Sequence, residues 1–199
     1  TIYRCLDTIT YILEEVMRND QKLQKMCAAA LLCAVGILIP TISPFKITLE
    51  PMSFTLGSHI ALFVAMFISP GVALTVTIGT TLGFFLGGFP LIVVLRAASQ
   101  VVFVMLGAYM LARRPELLTN PKKCIPFGLM LGVVHALGEM LVCCFFYFGG
   151  SMAGADFVRT ILLLVGVGTL VHSLVDMLFA MLIYKPVCHV IRIPVSAKL

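Results

Sequence analysis

Between Glu50 and Arg96 the chain carries no Asp, Glu, Lys or Arg. Within that interval the run from Phe54 to Leu86 is apolar for longer than one bilayer crossing needs, about 20 residues. A stretch of that kind has to find an apolar solvent large enough to take it, with its backbone N–H and C=O groups paired inside the segment, as a helix pairs them. The rest of the composition agrees. Hydrophobic residues make up 60% and charged residues 12%, against roughly 45–50% and about 25% in soluble domains. Mean hydropathy is +1.08. A soluble domain, a disordered chain, a secreted disulfide scaffold and a nucleic-acid binder are excluded as classes. The seven cysteines (5, 27, 33, 124, 143, 144 and 188) are odd in number and lack metal-site spacing, so they are assigned to packing as small hydrophobes.

The expected fold is all-α, an integral membrane protein of six transmembrane helices. Residues 1–26 alternate Ile2, Leu6, Ile9, Leu13 and Val16 with charges at helical spacing, which predicts an amphipathic helix lying on the membrane face. The six-helix domain spans 27–185. Its first span runs from Cys27 to about Ile42, with Pro40 near its end, and is followed by an ordered loop over 43–58. The run from Phe54 to Leu86 divides at Ser69-Pro70-Gly71 into two short spans. The fourth span covers Leu91 to about Ala112, the fifth Cys124 to Phe148 and the sixth Phe157 to Tyr184, before a tail over 186–199. Eleven of the 14 Lys and Arg fall in the amino-terminal segment, the 113–123 loop and the tail, whereas Lys46 and Arg159 fall on the other side. The excess of basic residues on one face puts both termini in the cytoplasm of a cell-membrane protein.

Such a chain is too short for the paired halves of a typical secondary carrier. It also lacks GxxxxGK[ST], so it has no nucleotide-binding loop and any active transport draws on partner subunits. A substrate-binding subunit, a channel-like protein and a membrane assembly factor remain. Three features narrow the choice: Ala30-x-x-x-Ala34 on the first span, FTLGSHIALFVAMFISPGVALTVTIGTTLGFFLGGFP over 54–90, and VLRAASQVVF over 94–103. With these the chain resembles the S components of energy-coupling factor (ECF) vitamin transporters. The resemblance implies capture of a vitamin from outside, a lid formed by the first outer loop (43–57), and docking on a transmembrane coupling subunit driven by two ATPases. Niacin-type members tend to read RAxSH where this chain reads Arg96-Ala97-Ala98-Ser99-Gln100. The departure at Gln100 keeps the class and leaves the vitamin open between niacin and cobalamin, with pantothenate and pyridoxine behind them.

The candidate substrate-binding residues are Lys46, Glu50, His59, Arg96, Gln100, His135, Glu139 and Arg159. Arg96 is a charge inside a span, where insertion costs about 2.5–3.5 kcal/mol unless it is paired or hydrated. Its planar fork suits a substrate carboxylate, phosphate or amide, or else a structural pair with Glu139. His59, Lys46, Glu50, Asp156 and Arg159 are placed around the pocket mouth. The pairs His135/Glu139 and His172/Asp176 are each four residues apart, on one helical face. Glu139 is expected to face the outward pocket and Asp176 the opposite side, with polar bridging weighed above a metal site or proton relay. Ala30 and Ala34 are the candidate docking stripe for the coupling subunit, the alternative being contact with this protein's own helices. Gly79, Gly83, Gly87 and Gly88 suggest close helix packing. No catalytic residue, metal or cofactor is expected. The rival to a substrate-binding subunit is a membrane scaffold, or an enzyme using the histidine and acid pairs.

Overall fold

The computed structural model describes residues 2–49, 52–147, 154–190 and 195–198. The body is helical, as expected. Helix α1 (Ile2–Ile42) runs without a break through the boundary between the amphipathic segment and the first span, and Pro40 falls in its last turn. A hairpin follows, β1 (Lys46–Leu49) paired antiparallel with β2 (Met52–Thr55) in the register Lys46↔Thr55 to Leu49↔Met52. The chain is then α2 (Ile60–Ile68), α3 (Pro70–Leu86), α4 (Leu91–Ser99), α5 (Val101–Arg113), a 3₁₀ turn (Pro115–Leu118), α6 (Pro121–Tyr147), α7 (Gly154–Arg159), a π-helical stretch (Thr160–Val167) and α8 (Gly168–Val190).

Two expectations are corrected here. The segment from Phe54 to His59 is not the start of a membrane helix: Phe54 and Thr55 end β2, and Gly57, at φ 82°, turns the chain into α2. Glycine takes that left-handed backbone without the steric cost a Cβ would bring. The all-α expectation also omitted the hairpin, because two four-residue strands flanking Glu50-Pro51 carry too short an alternation to register as strands.

Among the described residues four stretches are long and apolar enough to cross a membrane: Glu14–Ile42, Leu91–Arg113, Pro121–Tyr147 and Asp156–Val187. At 1.5 Å per residue, α2 is about 14 Å long and α3 about 26 Å, so neither matches the roughly 30 Å apolar core of a bilayer on its own. Between them Ser69 is extended (φ −172°, ψ 159°), and its hydroxyl accepts the Val72 N–H at 3.3 Å, capping α3. Pro70 ends α2 and leaves its last carbonyls without helical partners. The carboxyl-terminal tail supplies donors instead. Ser196 N–H bonds Ile68 O at 3.0 Å, Ala197 N–H bonds Phe67 O at 3.0 Å, and Lys198 N–H bonds Pro115 O at 2.9 Å.

Helix α2 is the hub, with Phe63, Met66 and Phe67 almost wholly enclosed by α1, α3, α5 and α8. Helix α1 packs on α3 through the small residues, since a Cβ on Gly36 would lie 2.6 Å from Thr80 Cγ2 and one on Gly79 would meet Cys33 Sγ. Close approach of this kind replaces the hydrophobic drive that lipid does not provide. Gly87 and Gly88 do not belong to that stripe. They form the turn after α3, where Gly88 has φ 73°. Leu86, Leu141, Phe145 and Leu182 point outward around the bundle, fully at odds with water and suited to lipid tails.

Candidate functional site

A cavity of about 250 Å³ opens between the hairpin and helices α1, α3, α4, α6 and α8. Helix α4 gives it one whole face. Val93, Arg96, Ala97 and Gln100 recur at i, i+3, i+4 and i+7, the spacing that aligns side chains along one side of a helix, and all four border the cavity. Gly36 and Pro40 of α1 and Thr80 and Phe84 of α3 border it as well, so the pocket draws on more helices than the lid and spans four to six alone. Phe54 reaches it from β2, and Phe84 and Phe89 stand with ring centroids 4.9 Å apart, so three aromatic rings share the apolar walls with Pro40, Leu62, Pro90 and Val93.

The polar groups form two connected sets. In the first, Arg96 Nε donates to Glu139 Oε2 on α6. Both side chains are almost out of solvent, 11% and 2% exposed, and the guanidinium offsets the desolvation of the carboxylate. Among the described residues Nη1 and Nη2 of Arg96 make no hydrogen bond. His135 lies beneath this pair and outside the cavity lining. Its ring stacks on Phe103 at 4.3 Å, its Nδ1 is 3.3 Å from Ser173 Oγ, and its Nε2 is 3.5 Å from Glu139 Oε1.

The second set ties the lid turn to α8. The Asp176 carboxylate, 0% exposed, accepts Gly57 N–H at 2.8 Å and His59 N–H at 2.9 Å, and lies 3.1 Å from His59 Nδ1. With two backbone donors already on the carboxylate, Nδ1 serves as the third donor. His59 Nε2 is then left as the acceptor for the Gln100 side-chain N–H at 3.0 Å. Ser58 Oγ bridges His59 Nδ1 (3.2 Å) and His172 Nε2 (3.0 Å). The donor atoms of His59, His172 and Asp176 lie within 4.8 Å of one another, close enough for a metal. Each also serves hydrogen bonds within the cluster, which tie the turn before α2 to α8.

Of the candidate residues, His59, Arg96, Gln100 and Glu139 meet at the cavity. His135 supports them from below. Arg159 is exposed on α7 and is not among the residues bordering the cavity, and Asp156 is likewise exposed. Lys46 begins β1, while Glu50 lies outside the described residues. Asp176 is not among the residues bordering the cavity, but its carboxylate meets the turn before α2 through Gly57 and His59. Phe54 and Thr55 end β2, and residues 56–59 follow as hydrogen-bonded turns (Ser58 N–H to Thr55 O at 3.0 Å, Ile60 N–H to Gly57 O at 3.1 Å) that descend far enough for the Gly57 and His59 N–H groups to meet Asp176 on α8. The same descent brings in residues the sequence reading left out of the pocket: Phe54, Thr55, Ser58 and, from α8, His172 and Thr169. Thr169 is 2% exposed and its hydroxyl has no hydrogen-bond partner among the described residues. The His172-Ser-Leu-Val-Asp176 spacing was the available signal, and only its depth was misjudged. Ala30 and Ala34 are both exposed on α1, so they are free of this protein's own helices, whereas neighbouring Ala29 is buried.

Fold and site together describe a helical membrane protein with a small pocket beneath a hairpin, three phenylalanine rings and one cation on its wall, and no nucleotide-binding loop. Over 159 residues, 78% of its length, the chain is 39% identical to the niacin transporter NiaX of Lactococcus lactis subsp. cremoris (strain MG1363), covering 70% of that protein. It belongs to the S components of energy-coupling factor vitamin transporters. No family model matches the chain. No solved structure matches it either.

Proposed function

We propose that this chain is the S component that captures niacin at the outer face of the cell membrane and delivers it inward when carried by a transmembrane coupling subunit, itself driven by two ATPases. Six crossings serve that role: the apolar part of α1, then α2, α3, the α4–α5 pair, α6, and α7 continuing into α8, with both termini cytoplasmic. The amino-terminal part of α1 rests against lipid headgroups. Ala30 and Ala34, small and exposed, form the face on which the coupling subunit packs.

The observation that carries this reading is the cavity itself. At about 250 Å³ it falls below the roughly 300–1,000 Å³ of pockets for drug-sized ligands, which suits a one-ring acid and is too small for cobalamin. Its Phe54, Phe84 and Phe89 walls suit a flat ring. The two terminal nitrogens of Arg96, with no partner among the described residues, suit a carboxylate taken in two parallel bonds. NiaX, the relative described above, supports the same choice of vitamin.

Titration of the purified protein with nicotinate is the test, set beside Arg96→Lys. Lysine keeps a cation for Glu139 and removes the fork, so nicotinate affinity is expected to fall by about tenfold or more while the protein stays folded. Absence of nicotinate binding to the wild type would sink the vitamin assignment. Equal affinity in Arg96→Lys would remove Arg96 from it.

A further inference from the structure

The buried charges around the cavity do not leave room for a second anion. Arg96 is the one cation among the described groups at the site, and it is already paired with Glu139. Asp176 adds a further carboxylate, surrounded by neutral donors from Gly57 and His59. A nicotinate that takes the two terminal nitrogens of Arg96 leaves one guanidinium between two carboxylates, the ligand's and that of Glu139, which is 2% exposed and held by Nε, so the enclosed cluster carries one negative charge without a counter-charge. An uncompensated charge out of solvent costs far more than a single hydrogen bond returns. Something has to compensate Glu139 when the ligand arrives.

The structure offers a group placed for that purpose. His135 Nε2 is buried, has no hydrogen-bond partner among the described residues, and lies 3.5 Å from Glu139 Oε1. The other ring nitrogen, Nδ1, already sits 3.3 Å from Ser173 Oγ. Protonation at Nε2 would give an imidazolium whose two N–H groups face Ser173 and Glu139. The remaining titratable and charged groups around the pair are Arg96 from α4, His59 from the turn before α2, His172 and Asp176 from α8, and Cys143 one turn along α6. Helix α5 contributes only the Phe103 ring.

Resting on the niacin assignment, we propose that the anionic vitamin is captured together with one proton, which comes from solution and is held between His135 Nε2 and Glu139 while Arg96 faces both carboxylates. The site then binds a neutral pair, nicotinate and H⁺, and the number of buried uncompensated charges does not rise. A neutral pyridine amide needs no such proton.

Calorimetric titration of the full chain with nicotinate, run in phosphate and in Tris, measures the protons exchanged from the difference in heat between the two buffers. The expected result is uptake of about one proton per nicotinate, with affinity falling about tenfold for each unit rise in pH. Nicotinamide, as the neutral probe, is expected to bind without uptake. Glu139→Gln, which is neutral at any pH, is expected to bind nicotinate with no uptake, and His135→Gln to show less than the wild type. Nicotinate bound by the wild type with no proton exchanged would overturn the inference, as would uptake unchanged in both variants. Failure of nicotinate to bind at any pH is a different result, and it would strike the vitamin assignment instead.

Discussion

Asp176→Asn tests the clasp that holds the lid. The carboxylate has two oxygens and meets three donors, Gly57 N–H at 2.8 Å, His59 N–H at 2.9 Å and His59 Nδ1 at 3.1 Å. An amide of the same shape has one oxygen, and its NH₂ group has to face one of those N–H groups. The substitution leaves at least one buried donor unsatisfied, about 1–3 kcal/mol, and weakens the remaining bonds by removing the negative charge, about 1.5–3 kcal/mol per charge-assisted bond lost. With no solvent to relieve the mismatch at a residue 0% exposed, the combined cost is about 4 kcal/mol. For a chain of this size each kcal/mol shifts the melting temperature by about 2–4 °C, so a drop of roughly 8–16 °C is expected. Thermal unfolding in detergent, followed with a thiol-reactive dye that reaches the buried Cys143 only on opening, measures it. A variant melting within about 2 °C of the wild type would show that the carboxylate does not hold the Gly57–His59 turn.

Two further substitutions separate packing from docking. Gly36→Val places a branched side chain where even a Cβ would lie 2.6 Å from Thr80 Cγ2. It is expected to force α1 from α3, cost about 1–3 kcal/mol and weaken ligand binding at the cavity that Gly36 borders, all readable in paired melting and titration experiments. Ala34→Leu lies on an exposed position of α1 and is expected to change stability by less than about 0.5 kcal/mol. Co-purification with the coupling subunit and ATPases is expected to be lost, and retention of the complex would refute the docking face.

Much of the helical body was legible because apolar length is a one-dimensional property. The four long stretches, the break at Ser69-Pro70 and the glycine contact between α1 and α3 all follow from local composition. Arg96 is legible because a charge in an otherwise apolar span is costly without a partner, and of the two partners open to it, a substrate group or Glu139, the structure shows the pair with Glu139. The hairpin was not legible, since its pairing depends on Lys46–Leu49 meeting Met52–Thr55 and not on any strong alternation in either. The tail was not legible either: Ser196 and Ala197 complete carbonyls of α2 that lie far away in sequence.

What the chain determined alone is its solvent: its apolar runs require lipid around helices. Tertiary structure decided which polar groups meet, because that depends on how the chain enters α2 and not on the spacing within any one helix. The turns over 56–59 aim the Gly57 and His59 N–H groups at Asp176, and they set the His59 ring between Asp176 and Gln100. Those partners lie on α8 and at the end of α4, and no local pattern in the sequence ties them to the turn.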